Sequence, residues 1–256
     1  MARANPFRAA LGLDVSFPVS GQAVVDAPAR PGNLGADGRM APGLVLTLLD
    51  VALGHAVAAR LPEPSSFATV SLEILVRSPW PEGSLSALGA AEPLAADWRE
   101  AVADGRVLAR DGRIIATAQG LFARGTGQGR AVTLTADAGG TFRNLDELLG
   151  FRETDGVLAM AVEQRHLNPD GVMHGGAMVA VLDAAMRTTL ERAGAPDVRL
   201  GSLSIRYILP AHPGEIRALC HLERRGRRIH FASASAVDGD GSLLAAADAT
   251  YLSLIS

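Results

Sequence analysis

Asn168-Pro169-Asp170-Gly171-Val172-Met173-His174-Gly175-Gly176 opens an apolar, helix-patterned stretch that carries Asp183 seven positions after Gly176. A degenerate copy lies in the first half: Gly35-Ala36-Asp37-Gly38-Arg39-Met40-Ala41-Pro42-Gly43, with Asp50 seven positions after Gly43. The two stretches share the frame Asp-Gly-x-Met-x-x-Gly followed by Leu-Asp-x-Ala. A long shared frame in each half indicates a duplicated unit. The spacing divides the 256 residues into a degenerate N-terminal domain over 1–124, a linker over 125–140 and a C-terminal domain over 141–256 that holds the intact motif. The linker reading rests on Gly125-Thr126-Gly127-Gln128-Gly129 and Ala138-Gly139-Gly140.

Outward from the motifs, each half repeats one pattern. A short helical start (6–13 or 145–151) precedes an alternating strand (15–25 or 157–165), and a Gly/Asn/Asp/Pro loop leads into a long helix over 43–60 or 175–193. Both helices are apolar nearly all round, through Leu44, Val45, Leu46, Leu48 and Leu49 in one and Met178, Val179, Val181 and Leu182 in the other. Such helices are buried on most faces. Strands follow: Leu72, Ile74 and Val76 alternate with polar neighbours, as do Leu203, Ile205 and Tyr207. Asp111-Gly112 and Asp238-Gly239 mark hairpin turns between the last two strands of each half. The expected class is α+β, with an antiparallel sheet wrapped around a long central helix in each domain. The two sheets can join edge to edge within the chain, which removes two exposed edges.

Composition narrows the function. With 48% hydrophobic residues the chain can bury a substantial core. A net charge of −3 argues against a general nucleic-acid binder. All 24 basic residues are arginine, which excludes lysine-dependent covalent chemistry. The single Cys220 permits neither an intrachain disulfide nor a paired-cysteine metal site, and His55, His166, His212, His221 and His230 show no metal-ligand spacing. No apolar run is long enough for a membrane span and the N-terminus lacks a signal-peptide core, so a soluble cytoplasmic protein without membrane partners is expected.

The intact motif resembles the hotdog fold, and within it the PaaI-like acyl-CoA thioesterases. Their signature is Asn, five residues, His-Gly-Gly, then an acidic residue on the helix, which Asn168, His174, Gly175, Gly176 and Asp183 match without gaps. The resemblance covers about 115 residues at each end of the chain and implies two tandem hotdog domains paired as an intrachain pseudo-dimer. It also implies an acyl-CoA substrate, hydrolysed without a cofactor to free acid and coenzyme A, and further self-association of the paired unit.

Thioester hydrolysis needs a polarised carbonyl and either an activated water or a carboxylate nucleophile. A helix N-terminus supplies unpaired N–H groups and a positive dipole end suited to a developing oxyanion. Gly175 lets a carbonyl approach its N–H closely, and the Asn168 amide is a candidate second donor; the resemblance implies these same roles. Asp183 lies eight residues beyond Gly175, about 12 Å along the helix axis, too far to serve a carbonyl held at its own helix start. The carboxylate must come from a neighbouring helix, and the resemblance places it on the partner, here the other half of the chain.

One composite site then combines Asn168, His174 and Gly175 with Asp50 and, by family alignment, Thr69. The second would combine Gly35, Ala41 and Pro42 with Asp183 and Leu200; proline offers no N–H, and neither Gly35 nor Leu200 has a polar side chain. One live and one dead site are expected. Asp50 is either general base or nucleophile. Gly176 is expected at the substrate. Arg227 and Arg228, in a basic cluster with Arg224 and Arg225, are candidates for the coenzyme A phosphates or else a solvated hairpin tip. His174 either acts directly or caps the loop. Two other functions remain open: a non-catalytic acyl-CoA-binding protein, and a hotdog hydratase or dehydratase working with a histidine and an acidic residue.

Overall fold

The computed structural model describes residues 4–35, 37–61, 66–94, 99–125 and 141–254. The expected linker lies, apart from Gly125 and the adjoining strand end, outside the described residues. The first half contains helix α1 (Pro6–Leu11), strands β1 (Asp14–Ser16) and β2 (Gln22–Ala27), helix α2 (Pro42–Ala58), and strands β3 (Phe67–Val76), β4 (Leu85–Pro93), β5 (Glu100–Ala109) and β6 (Ile114–Arg124). The second half contains helix α3 (Leu145–Leu149), strands β7 (Arg152–Thr154) and β8 (Val157–Val162), helix α4 (Gly175–Arg192), and strands β9 (Val198–Tyr207), β10 (Gly214–Arg225), β11 (Ile229–Asp238) and β12 (Leu243–Ser253). A single 3₁₀ turn precedes each motif loop, at Pro31–Asn33 and Gln164–His166.

All strands join one antiparallel sheet in the order β1-β2-β4-β5-β6-β3-β9-β12-β11-β10-β8-β7. The order has the same internal sequence from either edge. The halves meet where β3 pairs with β9, from Ser71 opposite Arg206 to Leu75 opposite Ser202. At the centre of that seam Glu73 faces Ser204, whose hydroxyl donates to the Glu73 carboxylate over 2.6 Å. Leu72, Ile74, Leu203 and Ile205 are buried on the face that meets the helices, while Glu73 and Leu75 point the other way. The alternation legible in the sequence thus sets which face holds the core.

One expectation needs correction. The single alternating strand read over 15–25 is a hairpin of two short strands, β1 and β2, whereas its counterpart over 157–165 is the single strand β8, with the short β7 paired to it from just before that range. Gly21 (φ 77°) lies in the turn between β1 and β2, and Asp155 (φ 50°) with Gly156 (φ 84°) turns the chain between β7 and β8. Alternation continues across such a turn, so the periodicity hides it. The long helices run close to their expected limits, and each short helix packs on the other half: the Phe7 N–H donates to the Leu167 carbonyl (3.4 Å), and the Leu145 N–H to the Leu34 carbonyl (3.3 Å).

α2 and α4 cross closely because small residues stand at the contact. A Cβ on Gly43 would lie 2.8 Å from the Ala180 Cβ, and one on Gly176 would lie 2.9 Å from the Thr47 Cα. The Thr47 hydroxyl lies within bonding distance of the Gly43 carbonyl of its own helix (2.8 Å) and the Gly176 carbonyl of the other (3.0 Å). Pairing Gly43 with Ala180 and Thr47 with Gly176 makes the helices antiparallel. Asp50, one turn beyond Thr47, therefore reaches the start of α4.

Candidate active site

The start of α4 has its orphan N–H groups largely accounted for. The His174 carbonyl accepts from the N–H of Ala177 (2.9 Å) and Met178 (3.1 Å), and the His174 ring nitrogen Nδ1 accepts from Gly176 (3.0 Å). Among the described residues, the Gly175 N–H is the one of these first four without an acceptor, which leaves it to an incoming group. The start of α2 differs. Pro42 occupies the first position, and the preceding Ala41 has no side chain able to cap.

The Asp50 carboxylate sits directly against Gly175. A Cβ added to Gly175 would fall 2.9 Å from Asp50 Oδ2, 3.0 Å from Oδ1 and 3.2 Å from Cγ. Asp50 Oδ1 accepts from the Thr69 hydroxyl (3.1 Å), and Oδ2 lies 3.3 Å from His174 Nδ1. The Nδ1 atom cannot accept from Gly176 and donate to Asp50 at once. With the helix capped, the neutral ring carries its proton on Nε2; a proton on Nδ1 would exchange the cap for an ion pair with Asp50. The Phe7 ring covers this imidazole with centroids 5.3 Å apart, so α1 roofs the motif of the other half.

Asp183, the counterpart of Asp50, has a different environment. It is fully buried, with Oδ2 2.9 Å from Arg187 Nε and Oδ1 accepting from the Tyr251 hydroxyl over 2.8 Å. Burial works against the charged form of Arg187, but the Asp183 carboxylate outweighs it and raises the guanidinium above its usual value. Burial first, and then Asp183, push the Tyr251 phenol well above the ordinary range. The residue four beyond Asp50 is Gly54, and the β6 residue matching Tyr251 is Phe122. Asp183 is thus paired in place, whereas Asp50 meets a hydroxyl, an imidazole and the Cα side of a glycine whose own N–H is open. Sequence reasoning missed Arg187 and Tyr251; an arginine four residues after an aspartate on one helix was the available signal.

The remaining predicted residues are placed as follows. Asn168 Oδ1 is held within its loop by the N–H groups of Asp170 (2.9 Å) and Val172 (3.4 Å), and no bond joins it to Asp50 or His174 among the described residues. Gly176 faces Thr47 at the helix crossing and its N–H is taken by His174, so it serves packing and not an open surface. Arg227 and Arg228 are exposed in the β10–β11 turn, beside the C-terminal end of α4, where Arg225 bonds the Ala193 carbonyl. The 18 residues of α4 put that end roughly 25 Å from Gly175, so the structure does not bring these arginines to the site. A cavity of about 940 Å³ on the outer face of the sheet, bordered by Glu73, Leu75, Ser204 and Phe231, touches none of the predicted catalytic residues.

A tesB protein of Mycobacterium avium subsp. paratuberculosis superposes over 98% of this chain and all of its own with TM-score 0.67 at 12% identity. A protein of Alicyclobacillus acidocaldarius described as having a hot dog fold covers 98% of each chain with TM-score 0.62, also at 12% identity. The chain has the hotdog fold. Within this hotdog chain, residues 164–252 match the family described as the acyl-CoA thioesterase N-terminal domain, a stretch that includes Asn168, His174, Gly175 and Asp183. Mouse acyl-coenzyme A thioesterase 13 is 34% identical over 80 residues, 30% of this chain and 56% of its own length. The chain thus spans just over half the length of that relative. No helix among the described residues is long and apolar enough to cross a membrane.

Proposed function

We propose that this hotdog chain is an acyl-CoA thioesterase of the PaaI-like type, built as two tandem repeats (1–124 and 141–256) paired within one chain, with one working site between them. The observation that carries this reading is the Asp50 carboxylate of the first half lying against the Cα of Gly175 in the second. The family match over 164–252 supports the substrate class.

In this reading the acyl carbonyl points its oxygen at the Gly175 N–H, where the helix dipole and the developing negative charge attract. Asp50, steadied by the Thr69 hydroxyl, either takes a proton from a water that attacks the carbonyl carbon or attacks that carbon itself. Either route breaks the carbon–sulfur bond and expels the coenzyme A thiolate, which gains a proton; an acyl-Asp50 anhydride, if formed, is then cleaved by water. Asn168 keeps its side-chain NH₂ for the acyl group, since its oxygen is committed to the loop. The steps require no cofactor, and a cytoplasmic location is proposed with them.

The test is release of free thiol from a panel of short, medium, long and aromatic acyl-CoAs. Turnover on any member supports the proposal. Binding without turnover by the folded protein would instead make it an acyl-CoA-binding protein. A second reading, a hotdog enoyl-CoA hydratase, draws on the 3.3 Å contact between His174 and Asp50. The commitment of His174 Nδ1 to Gly176 weighs against it. Hydration of crotonyl-CoA would favour that reading.

A further inference from the structure

Gly175-Gly176 is the most freely rotating dipeptide a helix start could have, yet the peptide unit between them is held at both ends. Its N–H, on Gly176, donates to His174 Nδ1 over 3.0 Å. Its carbonyl, on Gly175, accepts from the Tyr207 hydroxyl at the end of β9 over 3.1 Å. The next carbonyl, on Gly176, is met by the Thr47 hydroxyl of α2. Three elements thus fix the first turn of α4 where glycine alone would leave the backbone loose. The first-half position matching Tyr207 is Val76, which offers no hydroxyl to the start of α2. Burial, and after it the Asp50 carboxylate, push the Tyr207 phenol well above its ordinary range, so its hydroxyl remains a donor.

We propose that Tyr207 is a positioning residue of the thioesterase site: its bond to the Gly175 carbonyl anchors the far side of Gly175 and so keeps that residue, with the N–H it carries, in place for the substrate oxygen. This rests on the thioesterase reading and on the Gly175 N–H as oxyanion donor. The donor N–H lies in the preceding peptide, held through the His174 carbonyl by Ala177 and Met178. Without the Tyr207 bond Gly175 loses its anchor on the other side. Any displacement of the residue then carries the donor away from a carbonyl whose charge grows only in the transition state. The loss therefore falls on kcat more than on KM.

The test uses Tyr207→Phe in the full chain, which keeps the ring and removes the one hydroxyl. Thiol release should show kcat reduced about tenfold, a fraction of what a whole oxyanion donor commands, with KM within about twofold. Amide hydrogen exchange at Gly176, whose N–H is bonded to His174, should rise about fivefold, the population change of one ordinary hydrogen bond. Tyr251→Phe, which removes a hydroxyl from the Asp183 cluster, should leave both readouts unchanged. Unchanged kcat in Tyr207→Phe would overturn the proposal, and so would unchanged exchange. A wild type that releases no thiol would overturn the thioesterase reading, with the exchange measurement still judging the clamp.

Discussion

Gly175→Ala perturbs the site with a single carbon. Gly175 is the first residue of α4, and its φ is not in the left-handed region, so alanine fits the backbone and should favour the helix by about 0.5–1 kcal/mol. The new Cβ, however, would stand 2.9 Å and 3.0 Å from the two Asp50 oxygens and 3.2 Å from Cγ, several tenths of an ångström inside ordinary contact. Relief requires moving the carboxylate, which is only 5% exposed and held by Thr69, or pushing α4 away from α2. Either shift misaligns the carboxylate with the Gly175 N–H, and misplacement on that scale costs about 10² in rate, or about 2.7 kcal/mol of transition-state stabilisation. Folding should suffer little, because the helix gain offsets part of the crowding. The assay is thiol release beside a thermal melt: kcat/KM should fall about a hundredfold while the midpoint moves by no more than about 2–4 °C. Activity within about twofold of wild type would refute the placement of Asp50 against Gly175 in the working enzyme.

Two further outcomes follow from the same geometry. His55 and His166 each titrate at about 4 against an ordinary 6.5, chiefly because burial disfavours the imidazolium. Below pH 6.5 the unfolded chain binds protons that the folded chain refuses, so stability is intact above that pH and is lost as pH falls toward 4. Each histidine can contribute a slope of up to about 1.4 kcal/mol per pH unit. Denaturant midpoints between pH 7 and 4.5 should drop steadily, and a flat profile would contradict the burial of both rings. Separately, Arg227→Ser with Arg228→Ser should leave KM for an acyl-CoA within about twofold, since their turn lies beside the end of α4, which is roughly 25 Å along the helix from Gly175. A KM raised tenfold or more would mean that the nucleotide reaches the far end of α4.

Much of this arrangement was legible in the sequence because it rests on periodicity and distance. The shared Asp-Gly-x-Met-x-x-Gly frame located both helix starts to within a residue, and 1.5 Å per residue required a carboxylate from another helix. An edge-to-edge join of the two sheets followed from the need to pair exposed edges, but which strands make it, β3 and β9, did not. What stayed hidden depends on contacts between segments distant in the chain. Nothing local in Tyr251 indicates that it meets Asp183 across 68 positions, and nothing in Tyr207 indicates that it meets the Gly175 carbonyl. The sequence offers the Arg227-Arg228 run as a phosphate contact, and only the topology shows that it stands beside the end of α4 far from Gly175. The split of the strand read over 15–25 was hidden for a simpler reason, since alternation looks the same on both sides of a tight turn.

The central claim is that one carboxylate acts and its counterpart is structural. It is tested most directly by thiol release from Asp50→Asn and Asp183→Asn beside wild type, each with a thermal melt. Asp50→Asn should abolish turnover yet fold normally. Asp183→Asn should keep most of its activity while losing about 1–3 kcal/mol of stability, the low end for a broken buried pair because the Arg187 side chain is 34% exposed. Turnover retained in Asp50→Asn, or lost in a folded Asp183→Asn, would contradict the account.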